Sequence, residues 1–254
     1  MNKQYLIYST VQIMTDYGEG TGFIMDLTND INRCIPVLIT NKHVIKGCSD
    51  IEIVLTLQNK DGTLVTQNHK LVNVVDKCVN HDKYDLCAIP LCLVLEKTYK
   101  SGKTVMASFV TVNELAMADD FLKTNSIEDI YVVGYPNAFR DRKNNLPIAR
   151  KGVTATPLYA DYEGEKEFLV DCGVIEGSSG SPVFIKLDDG NYKLAGIIFA
   201  AKKMCAEVDY KNDRGEEKHG TCWIPTGIGV AIKAQEIMDI ALKIYKMKGE
   251  DIVL

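Results

Sequence analysis

The fold and chemistry of this 254-residue chain are decided by one polar turn, Glu176-Gly177-Ser178-Ser179-Gly180-Ser181-Pro182. It separates two apolar runs, at residues 168–170 and 183–185, that we predict to be strands. Its two glycines allow backbone conformations that a Cβ atom hinders, and its proline stiffens the exit. A serine on such a turn combines a nucleophilic hydroxyl with backbone N–H groups that can hold an oxyanion. Taken alone, the stretch fits a Ser/Gly loop without chemistry equally well.

Two other stretches supply the partners that a nucleophilic serine needs. A histidine follows an apolar run in Ile39-Thr40-Asn41-Lys42-His43-Val44-Ile45, and an aspartate precedes one in Tyr84-Asp85-Leu86-Cys87-Ala88-Ile89. Serine chemistry requires a base that accepts the hydroxyl proton and a carboxylate that orients the base. The sequence therefore predicts a catalytic triad in the chain order His43, Asp85, Ser179.

With three motifs in this order, the chain resembles the trypsin-like serine peptidases of the chymotrypsin fold (the PA clan). Thr40-Asn41-Lys42-His43-Val44 and Gly180-Ser181-Pro182-Val183-Phe184 are most similar to bacterial glutamyl endopeptidases. Gly20-Thr21-Gly22-Phe23-Ile24 and Gly227-Ile228-Gly229-Val230-Ala231-Ile232 are more similar to the HtrA-type peptidase domain. The resemblance covers nearly the whole chain, from about residue 18 to 244.

The resemblance implies an all-β fold of two six-stranded antiparallel β-barrels with a C-terminal α-helix. We predict an N-terminal barrel at 1–100 with His43 and Asp85, and a C-terminal barrel at 101–232 with Ser179. A helix and tail follow at 233–254, because apolar residues at 237, 240, 241 and 244 have helical spacing. Residues 96–103 are predicted to be the linker, and the charged residues 202–220 a surface loop.

Other residues could occupy the triad positions, and the family pattern decides between the candidates. Asp82 lies three residues before Asp85, but the family has its aspartate directly before Leu-Ala or a similar pair, which favours Asp85. Ser178 and Ser181 flank Ser179, but the family nucleophile lies directly before glycine and three residues before proline. The alternative for the histidine is a structural role in the core.

The resemblance also implies an oxyanion hole formed by the N–H groups of Gly177 and Ser179. Ser178 stands where zymogen-type trypsins have an aspartate that pairs with a newly cut N-terminus. We therefore expect a site that needs no N-terminal cleavage. Ser181 stands where many members have glycine, and glutamyl endopeptidases share that serine.

The pocket for the side chain before the cut bond is carried over from the family by position. Its predicted walls are Gly173, Val174, Ile175, Ile198, Ala200, Ala201 and Gly229. Trypsins have an aspartate at the position of Gly173, and glutamyl endopeptidases have a histidine at that of Ile198. Because no charge is available, a basic side chain would be buried unpaired at considerable cost. We expect cleavage after uncharged, small to medium apolar residues.

Composition narrows the class of protein. Apolar residues make up 46% and charged residues 25%, which is ordinary for a globular protein. The net charge of −5 without a basic stripe argues against a nucleic-acid partner. No apolar run approaches the ~20 residues of a membrane span, so no membrane association is predicted. Residues 1–14 lack the pattern of an export signal, and we expect the eight cysteines to be reduced thiols in a cytoplasmic protein.

Neither a cofactor nor a metal is predicted. Some viral relatives have a structural zinc, for which Cys205, His219 and Cys222 are the candidate ligands here. Their spacing lacks a close Cys-x-x-Cys pair, and no fourth ligand is evident.

The leading function is a serine endopeptidase that cuts protein or peptide substrates through an acyl-enzyme. The alternative is a trypsin-fold binding module, or a protease with little activity until a regulatory protein partner binds. An intact triad argues against a binding-only protein, and an active-site probe separates the two.

Overall fold

Two β-sheets and a C-terminal helix make up the computed structural model, which describes residues 3–28, 30, 33–136, 139–211 and 213–248. The sheets are antiparallel apart from one short parallel pair. They form the two-barrel, chymotrypsin-like fold that the sequence predicts.

The first sheet has nine strands, three more than predicted, because short strands pair with its long ones. Seven lie in the order β5-β4-β1-β2-β3-β7-β6, while β8 pairs with β4 and β9 with β2. The strands are β1 (Thr10–Thr15), β2 (Gly18–Asp26), β3 (Pro36–Thr40), β4 (Ile51–Gln58), β5 (Leu64–Leu71), β6 (Val79–Asn80), β7 (Cys87–Pro90), β8 (Thr104–Val105) and β9 (Val110–Thr111).

The second sheet is a closed barrel of six strands in the order β10-β11-β12-β15-β14-β13. Its strands are β10 (Asp129–Gly134), β11 (Ile148–Thr154), β12 (Glu167–Val174), β13 (Pro182–Lys186), β14 (Tyr192–Lys211) and β15 (Glu217–Lys233). β14 and β15 are far longer than a typical strand and extend beyond the barrel as a two-stranded ribbon.

The helices are α1 (Lys3–Tyr8), α2 (Val74–Lys77), α3 (Cys92–Lys100), α4 (Ala118–Phe121) and α5 (Ile237–Lys248). α5 follows a 3-10 turn at Ala234–Glu236, close to the start predicted for the C-terminal helix. None of these described helices is long and apolar enough to span a bilayer. The predicted tail after residue 248 lies outside the described residues.

Three apolar clusters hold these elements together, and one of them contains residues of both sheets and of α5. β3 contributes to two clusters because its side chains alternate: Val37 and Ile39 belong to the shared cluster, and Leu38 to the core of the first sheet. The apolar face of α5 buries Ile237 and Ile240 in the shared cluster. Burial of side chains of this size stabilises the fold by roughly 1.5–3 kcal/mol each.

Two predicted loops are regular structure. Most of the predicted linker belongs to α3, and β8 and β9 return to the first sheet, so pairing with that sheet extends beyond residue 100 to Thr111. The division of the chain into domains at residues 100 and 232 stays a prediction. The predicted loop at 202–220 is the ribbon of β14 and β15, in which backbone pairing overrides a charged sequence.

The two sheets meet where β2 contacts the serine-containing turn. The Thr21 N–H donates to the Ser179 carbonyl at 3.0 Å, and the Thr40 hydroxyl donates to the Thr21 carbonyl at 2.8 Å. Gly180 has φ +84°, and a Cβ atom there would lie 1.8 Å from the Thr21 carbonyl oxygen. Only glycine therefore fits at this contact.

We expect Gly180→Ala to be strongly destabilising because it adds a backbone clash to the strain of a positive φ. The matched control is Gly190→Ala, whose φ is also +84° but whose Cβ atom would meet nothing within 4 Å. The free energy of unfolding, measured in urea, should fall at least about 2 kcal/mol further for Gly180→Ala. Equal losses would show that the contact with Thr21 does not constrain the turn.

Candidate active site

His43 and Asp85 are brought together by the register of β3 and β7. Thr40 lies opposite Cys87, so the residues just after β3 and just before β7 are neighbours. His43 lies in a 3-10 turn after β3, and its Nδ1 contacts Asp85 Oδ2. The His43 backbone N–H donates to Asp85 Oδ1 at 3.1 Å, and the Asn41 side chain donates to the Asp85 carbonyl at 2.7 Å.

This contact keeps the Asp85 carboxyl ionised. Burial raises its pKa, but the hydrogen bonds from His43 and the attraction of the imidazolium outweigh burial, and the net pKa lies below the ordinary value. An ionised carboxylate at Nδ1 favours the tautomer with its proton on that nitrogen, which leaves Nε2 free to accept a proton.

The loop that carries Asp85 is attached to α5 through His81. The backbone N–H groups of Lys83 and Tyr84 donate to His81 Nδ1 at 3.1 and 3.0 Å. The Nε2 atom of this buried ring lies 3.4 Å from carboxylate oxygens of Glu236 and Asp239. These three side chains are near enough to one another to share a metal ion. His81 Nδ1 accepts two backbone hydrogen bonds, while Nε2 lies near the carboxylates without a hydrogen bond among the described residues, so we interpret the cluster as a structural clamp.

The rival aspartate belongs to the same clamp. Lys243 of α5 donates to Asp82 Oδ1 at 2.6 Å and to the Asn80 carbonyl at 2.9 Å. The Asp82 side chain is 88% exposed and turned toward α5, whereas Asp85 contacts His43. The two carboxylates therefore have different partners: Asp82 pairs with Lys243, and Asp85 contacts His43.

The three serines of the turn between β12 and β13 differ in exposure. Ser178 and Ser181 are each 1% exposed, whereas Ser179 is half-buried and lines a cleft together with His43. Within the described part of the chain, Ser179 Oγ and His43 Nε2 form no hydrogen bond with each other. Catalytic hydrogen bonds of this kind often tighten only when a substrate binds.

Three backbone amides of the turn, those of Glu176, Gly177 and Ser179, have no hydrogen-bond partner among the described residues. The Ser178 N–H donates to the Ile175 carbonyl at 3.1 Å, which closes a four-residue turn with Gly177 at its third position. Gly177 has φ +81°, as a type II turn requires there, and the turn type fixes the orientation of the Glu176–Gly177 peptide. Unpaired N–H groups beside a hydroxyl that lines a cleft are the donors that an oxyanion needs.

Arg150 of β11 holds the turn from behind, and sequence reasoning missed it. Its guanidinium donates to Ser178 Oγ at 3.2 Å and contacts the Gly173 carbonyl oxygen. An internal cation thus contacts the residue that stands where trypsins have their salt-bridging aspartate. No motif in the sequence around Arg150 indicates this role, because the contact exists only in the folded barrel.

The cleft has a volume of about 400 Å³ and brings together most of the predicted site. From the predicted set it is lined by His43, Gly177, Ser179, Val174, Ile175, Ile198, Ala200 and Ala201. Gly173 and Gly229 do not line it. A Cβ atom on Gly229 would lie 2.5 Å from Val174 Cγ2, so Val174 already fills the space beneath. The cleft also has a side formed by Thr15, Tyr17, Gly18, Glu19, Val44 and Lys46, and a rim with Glu176, Phe199 and Lys203, which were not predicted.

The candidate zinc ligands lie on the ribbon. His219 contacts Asp209 at 2.6 Å, and Cys205 pairs with Trp223 across the strands. Cys205, His219 and Cys222 form no metal-binding cluster in the described structure.

A family model described as the trypsin-like peptidase domain matches residues 20–196. The chain belongs to this family. The matched residues include His43, Asp85 and the turn that contains Ser179. Membership of this family implies a peptide or protein substrate. A comparison with curated protein sequences finds no match.

Three solved structures similar to this trypsin-like peptidase each share less than a fifth of its sequence. A mutant of Rv3671c from M. tuberculosis H37Rv in its inactive form is 18% identical, with a TM-score of 0.49 and coverage of 93% of this chain and 86% of that chain. The Rv3671c protease in its inactive form is 17% identical, with a TM-score of 0.46 and coverage of 93% and 89%. The scabies mite inactivated protease paralogue S-I1 is 14% identical, with a TM-score of 0.49 and coverage of 94% and 95%.

We expect Asp85→Asn to lower kcat by about three to four orders of magnitude, because an amide does not hold the required imidazole tautomer. Asp82→Asn is the matched control and should change kcat by less than about twofold, since its exposed ion pair with Lys243 contributes little. Steady-state hydrolysis of a peptide substrate measures both. If the two effects were reversed, Asp82 would be the orienting carboxylate.

We expect Arg150→Met to lower kcat by about 10- to 100-fold, because the buried Ser178 hydroxyl loses its donor and the nucleophile turn shifts. The control is Lys151→Met, the next residue of β11, whose exposed side chain pairs with Asp129 at 2.6 Å. Peptide hydrolysis at a temperature where both variants are folded measures the difference. Equal activity of the two variants would show that Arg150 does not support the turn.

Proposed function

We propose that this protein is a serine endopeptidase with Ser179 as nucleophile, His43 as base and Asp85 as the carboxylate that orients the base. One observation carries the proposal: the one serine of the turn that is not buried lines the same cleft as a histidine whose far nitrogen contacts a carboxylate. Alternative serines are buried, and the alternative aspartate is paired elsewhere.

The reaction begins when Ser179 Oγ attacks the substrate carbonyl and His43 Nε2 accepts the hydroxyl proton. Asp85 stabilises the imidazolium that results, and the N–H groups of Gly177 and Ser179 stabilise the oxyanion. His43 then donates the proton to the leaving amine, and the acyl-enzyme remains on Ser179. A water molecule, activated by the same imidazole, hydrolyses this ester and restores the serine.

The pocket supports preference for uncharged, small to medium apolar side chains before the cut bond. Val174 and Ile198 narrow the cleft with apolar surface, and Val174 covers Gly229. Arg150 lies behind this wall and does not line the cleft. A buried basic side chain of the substrate would find no carboxylate among these residues, so it would lose its hydration without compensation.

A peptide-library digest should show cleavage mainly after Ala, Val, Leu or Met. Discrimination among them should be shallow, because each methylene contributes only ~1–3 kcal/mol. Cleavage after Arg or Lys would contradict the proposed preference of the pocket for uncharged side chains. So would cleavage after Glu, and if cleavage after Glu fell much more than cleavage after other residues in Arg150→Met, the guanidinium would be the group that selects it.

Hydrolysis of the preferred library peptide by wild type and by Ser179→Ala tests the function itself. Wild type should cut it, and Ser179→Ala should lose several orders of magnitude in kcat with an unchanged unfolding midpoint. Full activity of Ser179→Ala would overturn the assignment.

A protease activated by a regulatory partner is the second candidate. The observation that favours it is the missing hydrogen bond between Ser179 and His43 in the described structure. In that case hydrolysis should rise sharply when cell lysate is added to wild type and not to Ser179→Ala. For location we propose the cytoplasm, because all eight cysteines are free thiols.

A further inference from the structure

The ribbon of β14 and β15 extends beyond the barrel for nine residue pairs, from Lys203 opposite Pro225 to Lys211 opposite Glu217. We call these two segments, 203–211 and 217–225, the arm. At about 3.3 Å per residue the arm is roughly 30 Å long. A two-stranded ribbon is at best marginally stable in water, and a third strand would stabilise it.

The open edge of the arm begins at the nucleophile. On the side of β13, β14 is paired only as far as Ile198, which accepts from the Gly180 N–H at 2.8 Å and donates to the Ser181 carbonyl at 2.9 Å. From Phe199 to Lys211 no described strand pairs with this side, while β15 occupies the other side. A peptide that enters the cleft at Ser179 therefore meets an unpaired strand that leads away from the site.

One face of the arm is apolar along this open edge. Residues directly opposite each other in an antiparallel pair share a face, so Met204 and Ile224, Ala206 and Cys222, and Val208 and Gly220 lie together. Tyr210 continues this face, and its ring lies 3.4 Å from where a Cβ atom on Gly220 would be. Met204 is 55% exposed and Tyr210 53%.

The other face of the arm is charged toward its tip. It carries Glu207, Asp209 and Lys211, with His219 and Glu217 opposite the last two, while Cys205 and Trp223 lie on it nearer the barrel. An added strand has side chains that alternate between the two faces, so the apolar face would contact every second residue of that strand.

We propose that the arm binds an extended segment of the protein substrate as a third strand. This proposal rests on the proposed endopeptidase function and names its substrate class: unfolded or flexible segments with an apolar residue at every second position. Continuity of the open edge with the serine turn identifies substrate as the occupant. Antiparallel pairs are the more stable, and in that direction the residues N-terminal to the cut bond lie along the arm.

The test compares peptides that share one cleavable core. One peptide has the core alone, a second adds nine N-terminal residues that alternate Val and Ser, a third adds nine Ser, Asn and Gly residues, and a fourth adds the Val/Ser sequence at the C-terminus. Wild type should cut the second peptide with kcat/KM at least about tenfold above the core, and the third and fourth with smaller gains. An equal or larger gain from the C-terminal extension would overturn the proposal, as would no gain at all.

Variants locate the effect on the arm. In Met204→Ser/Tyr210→Ser the ratio of kcat/KM for the Val/Ser peptide to that for the core should fall to about that of the polar peptide. The matched control, Glu207→Gln/Lys211→Gln, changes the opposite face of the same strand and should keep the wild-type ratio. Circular dichroism spectra confirm that both variants are folded. Equal ratios in the two double variants would overturn the proposal.

A binding measurement separates failure of this proposal from failure of the endopeptidase function. Fluorescence anisotropy of the Val/Ser peptide, labelled with fluorescein at its N-terminus, reports binding to Ser179→Ala. The anisotropy should rise much more for this peptide than for the equally labelled polar peptide, and the rise should be lost when Met204→Ser/Tyr210→Ser is added to Ser179→Ala. If no peptide is cut but the anisotropy rises in this way, the endopeptidase function fails and the arm still binds extended peptides. If the core peptide is cut and the two labelled peptides bind equally, the arm proposal is wrong.

Discussion

The contact between the Thr21 backbone and Gly180 is the constraint on which the rest of the site depends. It brings a strand of the first sheet so near the serine turn that only glycine fits between them. The same strand segment donates to Ser179 and, through its hydroxyl, to the Gly177 carbonyl at 3.3 Å. Because the first sheet also holds His43 and Asp85, this contact fixes the two halves of the candidate triad relative to each other.

The other supports of the site also come from within the chain. Arg150 holds Ser178 from the second barrel, and α5 holds the Asp85 loop through His81 and Lys243. Zymogen-type trypsins bring the corresponding aspartate into place with a newly cut N-terminus. Here an internal arginine contacts the serine at that position, which agrees with the expectation that no cleavage is needed.

Local motifs predicted the fold and the residues of the site better than they predicted its supports. The family and the two-barrel fold are confirmed, because a histidine, an aspartate and a serine in this order are a specific pattern. The structure brings His43 to Asp85 and places Ser179 in the wall of the cleft, and their catalytic roles stay predictions. Arg150 could not be predicted, since its partners are distant in sequence. The sequence did contain the signal for Thr21, in Gly20-Thr21-Gly22, but not its partner.

The regular elements that sequence reasoning missed have physical reasons. The sequence of α3 predicts a linker because its polar residues mask a helix that packs on only one side. The sequence of the arm predicts a loop because its charges obscure the alternation on its apolar face. Both errors arise where half of an element faces water. The open edge and apolar face of the arm became visible only once the pairing of β14 with β15 was known.

Labelling by a fluorophosphonate tests the central claim most directly, because this probe reacts with a serine only when a base activates it. The account predicts one adduct on the purified protein, mapped by mass spectrometry of peptides to Ser179, and loss of that adduct in His43→Ala. An adduct on another serine, or a wild-type protein that does not react, would contradict it.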